Sequence, residues 1–179
     1  MNKKEIFTLS NIISFIRIFF SVPIFYYISI HDNTTALIFI AIAVISDWID
    51  GYYARKWNQI TTLGKIIDPL ADKACTIGGF LALSLYQGLP LWVTAVIIIR
   101  DVIIMIASLV VIGQSNKVMA SNIPGKITVL IISVLGVIYL LQWEYLKFPL
   151  LILAMIFILY SSINYTVIFF KNIMRKNDS

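Results

Sequence analysis

Residues 35 to 86 read TALIFIAIAVISDWIDGYYARKWNQITTLGKIIDPLADKACTIGGFLALSLY, and the plan of the whole chain is legible from them. Two apolar stretches, Thr35 to Trp57 and Ile66 to Tyr86, are parted by turn-forming and polar residues at Gln59 to Gly64. Each has the length of about 20 residues that takes an α-helix across a hydrocarbon core about 30 Å thick. Four more stretches of this kind flank them: Leu9 to Ile30, Leu91 to Ile112, Ile127 to Trp143 and Phe148 to Phe170. The remaining breaks fall at His31 to Thr34, Gln87 to Pro90, Gly113 to Gly125 and Glu144 to Lys147. Composition agrees, since 60% of the 179 residues are hydrophobic and 13% charged. Soluble domains carry about half and about a quarter. The expected fold is therefore all-α and integral to the membrane. Six transmembrane helices form one bundle, a single domain over residues 1 to 179 with no room for a separate soluble domain.

The first stretch is expected to be a retained helix. It is longer than the about 7 to 15 residues of a signal-peptide core, contains Arg17, and lacks a small-residue cleavage site before His31. The lone cysteine, Cys75, excludes an intramolecular disulfide and a cysteine-based zinc site.

Charge placement orients the bundle. Lys3, Lys4, Arg55, Lys56, Lys65, Lys117, Lys126, Lys171, Arg175 and Lys176 fall on the side of the termini, and Lys147 alone falls in the opposite loops. By the positive-inside rule both termini are expected to be cytoplasmic, in a multi-pass cell-membrane protein. Trp57, Trp92 and Trp143 stand at helix ends, as in aromatic belts. The net charge of +5 is then mainly topological and meets anionic lipid, so it is no nucleic-acid footprint.

Of nine acidic residues, Asp47, Asp50, Asp68 and Asp72 lie in the second and third stretches rather than in loops. Burying each one costs about 2.5 to 3.5 kcal/mol on insertion scales, so something must compensate. Asp47 and Asp50 are three apart and Asp68 and Asp72 four apart, which places each pair on one helix face. Antiparallel helices would let the pairs face each other just below the cytoplasmic interface. Four carboxylates at close range repel unless cations stand between them. An all-oxygen set suits Mg²⁺ or Mn²⁺. The alternative is a network of ion pairs with Arg55, Lys65, Lys73 and Arg100. Gly51 and Ala54 offer small side chains for close approach, Arg55 a planar fork for phosphate, and Gly64 a further small residue in the turn, together a bed for a nucleoside diphosphate.

Asp47, Asp50, Gly51, Ala54, Arg55, Gly64, Asp68 and Asp72 match every position of the pattern D-x2-D-G-x2-A-R-x8-G-x3-D-x3-D. In this the chain resembles the CDP-alcohol phosphatidyltransferases, and the resemblance extends to length and to the six-helix plan. It implies transfer of a phosphatidyl group from CDP-diacylglycerol to an alcohol, with release of CMP. It further implies two divalent cations on Asp47, Asp50, Asp68 and Asp72, with Asp72 as proton acceptor. Gly51, Arg55, Thr61 and Asn11 would contact the CDP part. A homodimer is usual in the family.

The signature leaves the acceptor open. Arg100 with Asp101, then Gly125 with Lys126, resemble the pattern in bacterial phosphatidylglycerophosphate synthases, although those often carry Arg-Glu in place of Arg100-Asp101. Lys73, Arg100 and Lys126 are the candidate cations for an acceptor phosphate, against ion pairing with a neighbouring aspartate for Arg100 and membrane-edge anchoring for Lys126. Glycerol 3-phosphate is the first expectation. A cardiolipin synthase is the second, and inositol phosphate and serine are further acceptors in the family. The rival from another class is an ion-coupled transporter, whose intramembrane acids would sit nearer the midplane. His31 reads as a solvated loop residue, Cys75 as packing beneath the site, Gly78 and Gly79 as sites of close helix approach, and Trp48 as facing away from the aspartates.

Overall fold

The computed structural model describes residues 9–56, 64–115 and 123–177, with side chains from residue 16 onward except 47, 50–56, 64–70, 72, 108–115 and 169–177. Six α-helices occupy these residues: α1 Leu9–Ser29, α2 Asn33–Lys56, α3 Gly64–Tyr86, α4 Leu91–Ser115, α5 Ile123–Leu140 and α6 Glu144–Asn177. All six expected helices are present. Two of them hold spans long and apolar enough to cross a membrane, Ile123–Leu140 and Glu144–Ile168. Large apolar side chains face outward along the helices, among them Phe19, Val22, Trp48, Leu130, Phe148 and Leu159. Such surfaces are costly in water and suited to lipid.

The chain divides into two compact units, Met1–Thr94 and Ala95–Ser179. In the first unit α1 packs along both α2 and α3. The direction of α3 relative to α1 follows from paired contacts. Cys75 Sγ donates to the Arg17 carbonyl at 3.1 Å, Gly78 meets Ser21, Gly79 meets Ile24, and Gln87 Nε2 lies 3.5 Å from the Ile28 carbonyl. The two helices advance together and are parallel. The short α1–α2 turn makes α2 antiparallel to both, with Phe39 stacked on Tyr27 and tilted against Phe20. The C-terminal end of α2 and the N-terminal end of α3 therefore lie at the same end of the unit.

The opposite end is closed by a polar latch. His31 ends α1 with φ 61°, and the bonds from His31 N to Ile28 O and from Asp32 N to Tyr27 O complete a left-handed helix cap. Asp32 then caps α2, accepting from Thr35 N at 3.1 Å. The Thr35 hydroxyl, together with that backbone bond, holds the Asp32 carboxyl below its ordinary value. Gln87, 6% exposed, donates to Asn33 Oδ1 at 2.8 Å and stands 3.2 Å from His31 Nδ1. His31 is thus exposed but not a plain solvated loop residue. Its ring takes part in tying α3 to the α1–α2 turn.

In the second unit α5 buries Gly125, Thr128, Ile131, Ile132, Leu135, Ile138 and Tyr139, a three-and-four spacing that makes one helix face. Leu151, Ala154, Ile158 and Ser161 of α6 are buried at the same spacing. The last break differs from the sequence expectation. Gln142, not the Glu144 to Lys147 segment, turns the chain, with φ 56° and the same cap pattern as His31. Glu144 instead opens α6, and its carboxylate meets Lys147 Nζ at 2.5 Å. An acidic residue in the first turn is favoured by the helix dipole, so a charge that reads as an interruption serves as a helix start.

Candidate active site

The site is built from the helix ends that the parallel and antiparallel packing gathers. Asp47 and Asp50 occupy the last three turns of α2, and Asp68 and Asp72 the first three turns of α3. Their backbones belong to one unit and to one end of it. Asn11, Gly51, Ala54, Arg55 and Gly64 lie on the same helix ends, on α1, α2 and α3. The side chains of these residues, and Thr61 altogether, lie outside the described residues. Pro69 is the sixth residue of α3 and does not interrupt the helix, although it lies past the first turn where proline removes no intrahelical bond.

Along α3, Asp68, Asp72 and Cys75 form one strip, since spacings of seven and three residues return to the same helical face. Cys75 shows which way the strip faces, because its thiol bonds the Arg17 carbonyl of α1. Ala71 beside the strip is fully buried. The donor residues at this end are aspartates, and the thiol of Cys75 one turn beyond Asp72 is engaged with the Arg17 carbonyl. That chemistry fits a hard divalent cation such as Mg²⁺ or Mn²⁺.

Of the three candidate cations for an acceptor phosphate, Lys73 belongs to the first unit and is half-buried. Arg100 and Lys126 belong to the second. Arg100 is 7% exposed, with Nη1 2.7 Å from Asp101 Oδ1 and Nη2 donating to Ser161 Oγ at 3.0 Å. The ion pair with a neighbouring aspartate is therefore present, and Ser161 of α6 is a partner that the sequence did not point to. Arg100 Nε has no hydrogen-bond partner among the described residues. Lys126 is exposed, next to buried Gly125. A Cβ on Gly125 would meet the Tyr165 ring, with Cε2 at 2.9 Å, so glycine is what lets α6 approach the start of α5.

Arg17 receives no role from sequence reading, yet at 2% exposure it is the largest fully buried side chain described. The signal available in the sequence was a lone arginine inside an apolar span.

Six helices with apolar outer faces, and two aspartate pairs on the helix ends of the first unit, suit a membrane-embedded protein. The sequence pattern of the CDP-alcohol phosphatidyltransferases matches residues 7–161, and the chain belongs to that integral membrane family. It is 39% identical over 124 residues to the CDP-diacylglycerol–glycerol-3-phosphate 3-phosphatidyltransferase of Bacillus subtilis, covering 67% of this chain and 63% of that protein. The enzyme of the same name from Aquifex aeolicus is 30% identical over 175 residues, covering 93% of this chain and 98% of its own length. A cardiolipin synthase (CMP-forming) of Streptomyces coelicolor is 32% identical over 109 residues, covering 57% of this chain and 50% of that protein.

Proposed function

We propose that the protein transfers the phosphatidyl group of CDP-diacylglycerol to glycerol 3-phosphate, releasing CMP. The observation that carries this reading is the gathering of Asp47, Asp50, Asp68 and Asp72 at one end of the α1–α2–α3 unit, on a chain of this family. A hydroxyl of the acceptor attacks the phosphorus that bears the diacylglycerol. The bond between that phosphorus and the bridging oxygen breaks, and CMP departs with the bridging oxygen. The hydroxyl proton passes to the Asp72 carboxylate, the general base. Two divalent cations held by the four aspartates would neutralise the diphosphate and the charge developing on the leaving phosphate. Gly51, Ala54 and Gly64 would admit the nucleotide closely, with Arg55, Thr61 and Asn11 as its polar contacts.

Lys73, Arg100 and Lys126 are the cations proposed as counter-charge to the acceptor phosphate, although Arg100 already pairs with Asp101 and bonds Ser161. The basic residues toward the helix ends support a reading in which the termini and the site face the cytoplasm. There the polar substrates arrive from water while the acyl chains stay in lipid. We further propose a homodimer, which sedimentation of the detergent-solubilised protein checks.

The test supplies purified protein with CDP-diacylglycerol, Mg²⁺ and one acceptor at a time. CMP release and a new lipid with glycerol 3-phosphate are expected. Turnover only with phosphatidylglycerol would assign a cardiolipin synthase instead. No CMP with any acceptor, from folded protein, would end the enzyme reading. Acceptor saturation unchanged by Arg100→Ala would remove Arg100 from the phosphate pocket.

A further inference from the structure

Arg17 presents a problem that the proposed chemistry leaves unanswered. A guanidinium in an apolar span costs about 2.5 to 3.5 kcal/mol to insert, and intramembrane charges of this kind face a partner inside the protein. Arg17 is 2% exposed, so it is enclosed by protein and meets neither lipid nor an open cleft. Its backbone fixes where it lies. The Arg17 carbonyl accepts from Cys75, and Ser21, one turn later on the same face, meets Gly78. Arg17 therefore occupies the face of α1 that packs on α3, at the level of Cys75.

The strip of α3 that carries Cys75 also carries Asp72 and Asp68, about 4.5 Å and about 10.5 Å closer to the helix start at 1.5 Å per residue. Helical side chains lean toward the N-terminus of their own helix. Because α1 and α3 are parallel, Arg17 leans from the level of Cys75 toward that of Asp72. We infer that Arg17 is a positioning residue of the phosphatidyl-transfer site, a buried fixed cation that orients the Asp68 and Asp72 carboxylates for metal binding. Enclosure decides between this role and direct contact with the CDP-lipid, which would require an open approach to the guanidinium.

The inference rests on the proposed metal-dependent reading, and the experiment separates the two. Mn²⁺ binding is measured by electron paramagnetic resonance on detergent-purified wild type, Arg17→Met and Arg17→Lys, with helix content and gel filtration as checks of folding. Loss of groups that orient metal ligands weakens binding by about 10- to 100-fold, and this is expected for Arg17→Met. Arg17→Lys, which keeps the charge without the planar fork, is expected to fall between wild type and Arg17→Met. The Mn²⁺ concentration for half-maximal CMP release should move in parallel, while CDP-diacylglycerol saturation at saturating Mn²⁺ stays near wild type. Unchanged Mn²⁺ affinity in Arg17→Met overturns the inference, as does unchanged affinity in Arg17→Lys where Arg17→Met does not fold. Tighter binding also overturns it, since a bystander cation that merely repels the metal would have that effect. Wild type that binds no Mn²⁺ and releases no CMP would instead overturn the metal-dependent reading beneath it.

Discussion

Gly78 and Gly79 are adjacent residues of one helix, yet alanine is expected to act on them in opposite directions. A Cβ on Gly78 would stand 3.2 Å from Ser21 Cβ and 3.3 Å from the Ser21 carbonyl oxygen. Neither neighbour is the loose end of a long side chain, so α1 itself must retreat by a few tenths of an ångström. Overpacking of this kind costs about 1 to 3 kcal/mol. Replacing glycine by alanine within a helix returns about 0.8 to 1 kcal/mol, and lipid-embedded helices gain little more from apolar burial between them. Gly78→Ala should thus be destabilising by about 0 to 2 kcal/mol. At Gly79 the nearest atom, Ile24 Cγ2, would be 3.8 Å away, an ordinary contact, so only the favourable helical contribution applies. Thermal unfolding midpoints in one detergent provide the measure, with Gly78→Ala below wild type and Gly79→Ala at or above it. Because α1 carries Arg17, the proposed positioning residue, at the level of Cys75 on α3, CMP release should also fall in Gly78→Ala and hold in Gly79→Ala. Equal midpoints for the two variants, or a lower one for Gly79→Ala, would refute the packing account.

The base role proposed for Asp72 predicts that Asp72→Asn lowers CMP release by about 10²- to 10⁴-fold while retaining CDP-lipid binding better than Asp68→Asn does. Equal losses of binding and turnover in both would argue against a separate base. Asp101→Ala leaves buried Arg100 without its carboxylate and should cost about 3 to 5 kcal/mol of stability. Ser161→Ala, which removes one hydrogen bond, should cost about 1 to 3 kcal/mol, so the order of their unfolding midpoints checks the pair. The Thr35 hydroxyl and backbone N–H hold the Asp32 carboxyl below the ordinary carboxylate value, so its contribution to the α2 cap is present above that value. It is lost as pH falls further through the folded value. Asp32→Ala should therefore lower the unfolding midpoint at neutral pH and lose that deficit under strong acid.

What the sequence made legible is what depends on period and spacing. Six helices follow from apolar runs of spanning length, and the register of Asp68, Asp72 and Cys75 follows from 3.6 residues per turn. Turn positions were harder where the expected residue was missing. Left-handed helix caps favour glycine, yet His31 and Gln142 take that conformation here, with φ 61° and 56°. At Gln142 the cost is met locally, as its amide donates to Tyr139 O and its carbonyl oxygen accepts from Lys147 at 2.7 Å. Pattern alone placed the break at the charges of Glu144 and Lys147, which stabilise the helix that follows it. Pro23 sits within α1, in agreement with the unbroken first stretch, because neighbouring groups in a packed helix bundle can satisfy the carbonyl that proline frees. The arginines mark the deeper limit. Whether Arg17 and Arg100 meet substrate, carboxylate or hydroxyl depends on which faces of different helices come together, and spacing within one helix does not contain that. For Arg100 the answer is Asp101 from its own helix and Ser161 from 61 residues away. For Arg17 it is a face of α3 set by the contacts of Cys75 and Gly78, and the signature, which names residues of α2 and α3 alone, does not reach that face of α1.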